Sequence, residues 1–376
     1  MMIKRPDYKN SIVNLSCSIL KYFNIPGIKH DTLPYVDILL AEKHPRNIVL
    51  LLFDAMGISI LERNLPADSF TRQHVLRTIT STFPPTTVAA TTAVNSGLTP
   101  LETGWLGWIS YFKEIDANII TFFNTLQSDG DVQAAPERLI YKYAPYKTLS
   151  MQIRESNPPV RCMAVSPFRT NPNDDTIISH SVRESMDNVL SLTRESGQHM
   201  IYGYWAEPDH TMHDLGVDAP EITPMLEDID INLKYLSENI NKDDTVVFVI
   251  ADHSQINAKW FCLCDYSDIQ SVLRHPHSIE GRCASFMVKD GCRDEFRKLF
   301  RKHFGDHFLL MEHDEFLNSG LLGSGTPHPR TDGFVGDFVA ISTDQWCIAE
   351  THEDAEMVGV HAGLTKEEME VPLIVF

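Results

Sequence analysis

Aspartate and histidine recur just past the ends of apolar runs. Asp54 follows Asn47–Phe53, and Asp209 follows His199–Trp205 after a short Ala-Glu-Pro step. The pair Asp252-His253 follows Thr245–Ile250 after one alanine. Asp209 and His213 are four residues apart, so one helical turn would place them on a common face. His361 lies in a loop of small residues, Gly359-Val360-His361-Ala362-Gly363. Carboxylate and imidazole donors without a thiolate suit zinc or manganese in an open, catalytic site rather than a closed structural one. Each piece has a plain alternative, since an aspartate past a strand often caps a helix and a loop histidine is often a surface residue. Four such groups, each just past a strand, form a joint pattern that points to function.

A second stretch, Phe83-Pro84-Pro85-Thr86-Thr87 through Asn95-Ser96-Gly97, carries a different kind of chemistry. The prolines hold the approach extended, because each ring fixes φ and biases the preceding residue away from helix. The small residues that follow predict one short, closely packed helix, and Gly97 suits the left-handed position that ends many helices. A threonine hydroxyl at the start of that helix faces unpaired N–H groups and the positive end of the dipole, a seat for phosphate or another anion. Equally, Thr86 can serve only as the N-cap.

Elements must position these groups. Asn47–Phe53 and Thr245–Ile250 are continuous apolar runs, the pattern of buried parallel strands. Strands are also expected at 76–82, 117–123, 159–166, 199–205 and 334–342, and helices at 9–24, 33–43, 58–64, 145–156, 180–196 and 219–241. This alternation predicts an α/β fold: a three-layer sandwich with a mostly parallel central sheet covered by helices on both faces. Residues 256–325 change character and read as a small α+β cap insertion, leaving 1–255 and 326–376 as the catalytic core.

The chain has 376 residues, 43% hydrophobic and 22% charged, with a formal charge of −19. That charge argues against a nucleic-acid polymer and against an anionic membrane surface as partners. It would also repel an anionic substrate, so a phosphate site needs local cations. Seven cysteines with no CxxC imply no disulfide framework and fit reduced thiols. Without a signal-peptide pattern or a long apolar run, the expected location is cytoplasmic.

The segments Phe53-Asp54-Ala55-Met56-Gly57, Phe83 through Gly97, Glu207-Pro208-Asp209-His210-Thr211-Met212-His213, Ala251-Asp252-His253 and Val360-His361-Ala362-Gly363 resemble the alkaline phosphatase superfamily. Within it they resemble the nucleotide pyrophosphatase/phosphodiesterase (type I phosphodiesterase) branch, in the family's order and over nearly the whole chain. The resemblance implies two divalent metal ions, zinc or alternatively manganese. One would be held by Asp209, His213 and His361, the other by Asp54, Asp252, His253 and the nucleophile. The family's spacing places that nucleophile at Thr87 rather than Thr86. It implies attack of the threonine on a small phosphate ester and a phospho-threonine intermediate, as in a phosphodiesterase or nucleotide pyrophosphatase.

Where diesterases of this kind carry an asparagine that donates to the phosphoryl group, this chain reads Thr103-Gly104-Trp105-Leu106-Gly107-Trp108. Trp108 then either donates through its indole N–H or forms part of an aromatic wall. His328, in Thr326-Pro327-His328-Pro329-Arg330, is a second candidate substrate contact. The alternatives are a phosphomonoesterase or phosphomutase on the same scaffold, or a catalytically silent binding protein. A sulfatase lacks its Cys/Ser-x-Pro-x-Arg segment here.

Overall fold

A computed structural model describes residues 1–376. The three apolar runs lie side by side at the centre of a seven-stranded sheet. Asn47–Phe53 pairs in parallel with Thr245–Ile250 on one side and with His199–Trp205 on the other. Arg161–Ser166 and Thr176–Ile178 extend the sheet in parallel beyond His199–Trp205. On the opposite side Glu370–Val375 runs antiparallel to Thr245–Ile250, and Val75–Thr80 pairs antiparallel with it in turn. The sheet is therefore mostly parallel, and every residue of Asn47–Phe53 and Thr245–Ile250 is buried. Strands covered on both faces have no polar side to show, which is why these runs are continuous rather than alternating.

Helices supply the cover. Ile12–Tyr22 packs on Pro34–Lys43 and on Thr87–Ser96, while Ile222–Asn239 packs on Val182–Arg194 and Ile58–Asn64. Together with the sheet they enclose a core that runs from Ile12 to Ile374. The sandwich and its parallel sheet are as the sequence pattern predicts.

A second, eight-stranded sheet lies beside the first. The segment 256–325 supplies Ser278–Glu280, Cys283–Phe286 and Phe308–Glu312. The other strands lie outside that span: Ile109–Phe112, Ala117–Ile120, Thr125–Leu126, Asp129–Gln133 and Phe338–Ser342. The strand expected around 117–123 thus joins this second sheet, not the central one. All seven cysteines are free, in line with the absence of a disulfide framework in the sequence. No helix is long and apolar enough to cross a membrane.

Candidate active site

Sheet register brings the acidic groups together. Leu52 is level with Ile250 across the ladder, and two residues further along both strands lie Asp54 and Asp252. Leu52 is also level with Tyr204, and Phe53 with Trp205, so the segment leading to Asp209 leaves the sheet at the same edge. Carboxyl ends of adjacent parallel strands are where open α/β sheets bind ligands. Gly57 lets the two turns meet: a Cβ there would lie 2.2 Å from Cβ of Ser254.

Asp54, Asp252 and His253 are essentially inaccessible to solvent. Nε2 of His253 lies 3.5 Å from Oδ1 of Asp54 and 3.5 Å from Oδ2 of Asp252. Both of those carboxylate oxygens are buried without a hydrogen-bond donor. The other oxygens are held. Tyr204 donates its hydroxyl to Oδ2 of Asp54 at 2.6 Å. Oδ1 of Asp252 accepts the backbone N–H groups of Ala55 (3.2 Å) and His253 (3.0 Å). Ala55 takes a left-handed conformation (φ 56°) to make that bond, a cost of about 1–3 kcal/mol that the surrounding structure must offset.

The helix Asp209–Leu215 places Asp209 and His213 one turn apart, with Nε2 of His213 3.3 Å from Oδ2 of Asp209. Gln255 donates its side-chain amide to Oδ1 of Asp209. Nδ1 of His213 faces the carbonyl of Gly359 at 2.8 Å, and Nδ1 of His361 faces the carbonyl of Pro85 at 3.2 Å. Donation from each Nδ1–H to its carbonyl leaves Nε2 as the free ligand atom. The rings of His253 and His361 lie 3.9 Å apart, and those of His213 and His361 5.2 Å. One ligand atom each from Asp209, His253 and His361 lie within 4.8 Å of one another, as do those of Asp54, Asp252 and His253. His253 thus reaches both groups, whereas His213 joins the first through Asp209.

Burial and the mutual repulsion of the carboxylates dominate the electrostatics of the cluster. Burial, then the charge of Asp252, holds the Asp54 carboxyl well above its ordinary range, and burial also pushes Asp252 up. Burial works against ionised Asp209, but the neighbouring His213, His361 and His253 outweigh it and hold the group well down. For His213 burial opposes the charged ring and Asp209 outweighs it, pushing the imidazole up to about 9. Burial and the neighbouring His253 hold His361 well below its ordinary value. Two buried carboxylate oxygens without donors, both facing Nε2 of His253, form a donor set that fits divalent cations and is costly without them.

Thr87 opens the helix Thr87–Ser96, and its Oγ1 lies 3.2 Å from Nε2 of His253. It borders a cleft of about 470 Å³ that also takes in Asp54, Asp209 and Trp108. Trp108 stands edge-on to Phe122 and Phe123, at ring distances of 6.0 and 5.5 Å, as part of an aromatic wall. His328 lies outside this cleft. The chain at 326–331 folds back on the turn at Leu101–Gly104, where Nδ1 of His328 accepts the N–H of Arg330 at 3.2 Å. Arg330 is itself engaged by Glu114, with two bonds of 2.7 Å.

Tyr204, Gln255, Glu280, Arg138 and Arg169 are contributors that the sequence pattern does not single out. Tyr204 has a faint signal, since it lies one residue before the end of the strand and one alternation after Tyr202. Gln255 lies three residues beyond Asp252. Arg138 and Arg169 line the cleft from separate loops and leave no local pattern.

A model of the type I phosphodiesterase/nucleotide pyrophosphatase family matches residues 48–364, a span that contains every residue of the cluster. Among solved structures, murine ectonucleotide pyrophosphatase/phosphodiesterase 5 is similar over 87% of either chain, with a TM-score of 0.67 at 15% identity. An inactive variant of that murine protein, in complex with AMP, matches to the same extent. Phosphonoacetate hydrolase from Sinorhizobium meliloti 1021, in complex with phosphonoformate, is similar over 88% of this chain and 90% of that one, with a TM-score of 0.65 at 16% identity. At these identities the likeness is one of fold.

Proposed function

The chain belongs to the type I phosphodiesterase/nucleotide pyrophosphatase family, a family of phosphoester hydrolases, and we propose that it cleaves a phosphodiester or pyrophosphate through a phospho-threonine intermediate on Thr87. The observation that carries this reading is the placement of Thr87 Oγ1 at a helix N-terminus, 3.2 Å from His253 and beside two buried, donorless carboxylate oxygens. Asp209, His213 and His361 would hold one divalent cation, and Asp54, Asp252, His253 and Thr87 the other, with zinc as the proposed metal and manganese as the alternative. Bound there, the cations would lower the pKa of the threonine hydroxyl and neutralise charge on the phosphoryl oxygens.

The protein's own groups do the rest. Oγ1 of Thr87 attacks phosphorus, the bond to the leaving oxygen breaks, and the leaving group takes up a proton. Water then attacks the phospho-threonine, releasing phosphate or the phosphomonoester and restoring the hydroxyl. The helix N-terminus receives a phosphoryl oxygen, since its first N–H groups have no intrahelical partners. Tyr204 and Gln255 fix Asp54 and Asp209, and the carbonyls of Gly359 and Pro85 fix the tautomers of His213 and His361. The cleft of about 470 Å³ beside Thr87 leaves room for a second esterified group, which favours a diester over a monoester. AMP bound to the inactive murine variant supports a substrate of nucleotide size. Trp108 would then wall the leaving-group side.

The test is a turnover panel: bis-(4-nitrophenyl) phosphate against 4-nitrophenyl phosphate, with zinc, manganese or magnesium added back to chelator-treated protein. Diester cleavage restored by zinc is expected, with Thr87→Ala lowering kcat by about a thousandfold or more. Unchanged turnover in Thr87→Ala would remove the nucleophile assignment. Cleavage of the monoester alone would turn the reading to a phosphomonoesterase or phosphomutase.

A further inference from the structure

The helix that presents Thr87 lacks the cap its sequence offers. Thr86 stands at the N-cap position with extended backbone (φ −138°, ψ 148°), the conformation from which a threonine side chain accepts an N–H two or three residues on, yet it caps nothing. Its hydroxyl donates instead to Oε1 of Glu280 at 2.5 Å. The same carboxylate oxygen accepts the backbone N–H of Trp108 at 2.8 Å. The first intrahelical bond runs from Ala90 N to Thr86 O at 2.9 Å, so the N–H groups of Thr87, Val88 and Ala89 precede the ladder.

Glu280 belongs to the second sheet, at the end of the strand Ser278–Glu280. Its carboxylate reaches across to the central layer and joins two elements of the cleft wall, the start of the nucleophile helix and Trp108. A threonine at an N-cap left to itself closes the helix end by filling one of its donors. That filled donor is then lost to an incoming anion.

We propose that Glu280 is a positioning residue: by holding the Thr86 hydroxyl away from the helix, it keeps the N-terminus of Thr87–Ser96 open for the phosphoryl group. The inference rests on Thr87 as phosphoryl acceptor and adds a requirement that reading does not contain. The capping side chain must be actively withheld. Glu280 touches neither the reacting atoms nor, in this scheme, the cations; it acts through Thr86.

The experiment measures calorimetric binding of inorganic phosphate to the zinc-loaded protein, with kcat and KM for the diester alongside. Glu280→Ala is expected to weaken phosphate about tenfold, the loss of one hydrogen bond to a charged acceptor. Glu280→Gln, whose amide oxygen still accepts from Thr86 and Trp108, is expected to stay within about twofold of the parent. The decisive protein is Glu280→Ala/Thr86→Val. Valine keeps the shape of threonine without the hydroxyl, so the helix end stays open and most of the phosphate affinity returns. A merely structural role for Glu280 predicts no such recovery. Glu280→Met repeats the comparison without opening a cavity if the alanine variant fails to fold. Phosphate affinity unchanged in Glu280→Ala, or as weak in the double variant as in the single, overturns the proposal. If the parent hydrolyses no ester, the reading of the site falls; if it does and all variants bind phosphate alike, this inference alone falls.

Discussion

Replacing Arg282 by methionine should cost about 3–5 kcal/mol of stability and loosen the loop that carries His361. Arg282 and Glu368 have no solvent exposure at all, and they meet in two bonds of 2.7 and 2.8 Å. Arg282 also donates to the carbonyls of Trp346 (2.9 Å) and Asp344 (2.6 Å). Glu368 receives in addition the N–H of Gly363 (2.8 Å) and both donors of Thr365 (3.2 and 2.6 Å). Each remaining donor is neutral. Removing the guanidinium therefore leaves a buried carboxylate without its counter-charge, which sets the magnitude; the carbonyls of Trp346 and Asp344 are left to share the Ser342 hydroxyl. Arg282→Lys keeps the charge but not the fork, and should fall between methionine and the parent. The measurement is urea unfolding of the chelator-treated protein followed by tryptophan fluorescence, with zinc affinity determined in parallel. Because Gly363 lies two residues from His361, zinc should bind more weakly as well. A methionine variant within about 1 kcal/mol of the parent, with unaltered zinc affinity, would refute the argument.

Zinc uptake should release protons near neutral pH, because burial holds the Asp54 carboxyl above its ordinary range and Asp209, against burial, holds His213 up to about 9. Affinity should therefore strengthen as pH rises toward about 9, measured by titration calorimetry in buffers of different ionisation enthalpy; pH-independent binding would contradict it. Glu350 is partly desolvated, which raises its pKa, but contacts from His277 (2.6 Å) outweigh burial and hold it below the ordinary value. A depressed carboxyl contributes stability that is present above its unfolded pKa of about 4.3 and is lost as pH falls through the folded value. Glu350→Gln should thus flatten the acid limb of the stability curve and leave a smaller difference at pH 3 than at pH 6.

The central strands are legible because burial on both faces leaves continuous apolar runs, and Asn47–Phe53, His199–Trp205 and Thr245–Ile250 begin and end where those runs do. Asp54, Asp209, Asp252 and His253 are legible for the same reason, as polar residues at the edges of such runs. The second sheet is not. Its strands are two to five residues long and come from three separated parts of the chain, so no local period marks them as one layer. Glu280 is hidden for a related reason: its partners Thr86 and Trp108 are 194 and 172 residues away. Arg282 did leave a trace, a lone cation between Gly281 and the apolar strand Cys283–Phe286. His328 misleads because Pro-His-Pro looks exposed and available, whereas packing against the Gly104 turn takes it out of the cleft.

The register that sets Asp54 level with Asp252 divides the molecule into parts that can and cannot vary. Their separation is inherited from a backbone hydrogen-bond ladder, so a one-residue insertion in either strand would dismantle the pair. The outer part of the aromatic wall lies off that ladder: Phe122 and Phe123 sit in a turn between short strands of the other layer, while Trp108 is tied through its backbone N–H to Glu280. Selection or design could rewrite Phe122 and Phe123 one at a time while the ladder stayed fixed. New ester preferences are then reachable without rebuilding the reaction centre, and the turn between Ala117–Ile120 and Thr125–Leu126 is where such diversification should begin.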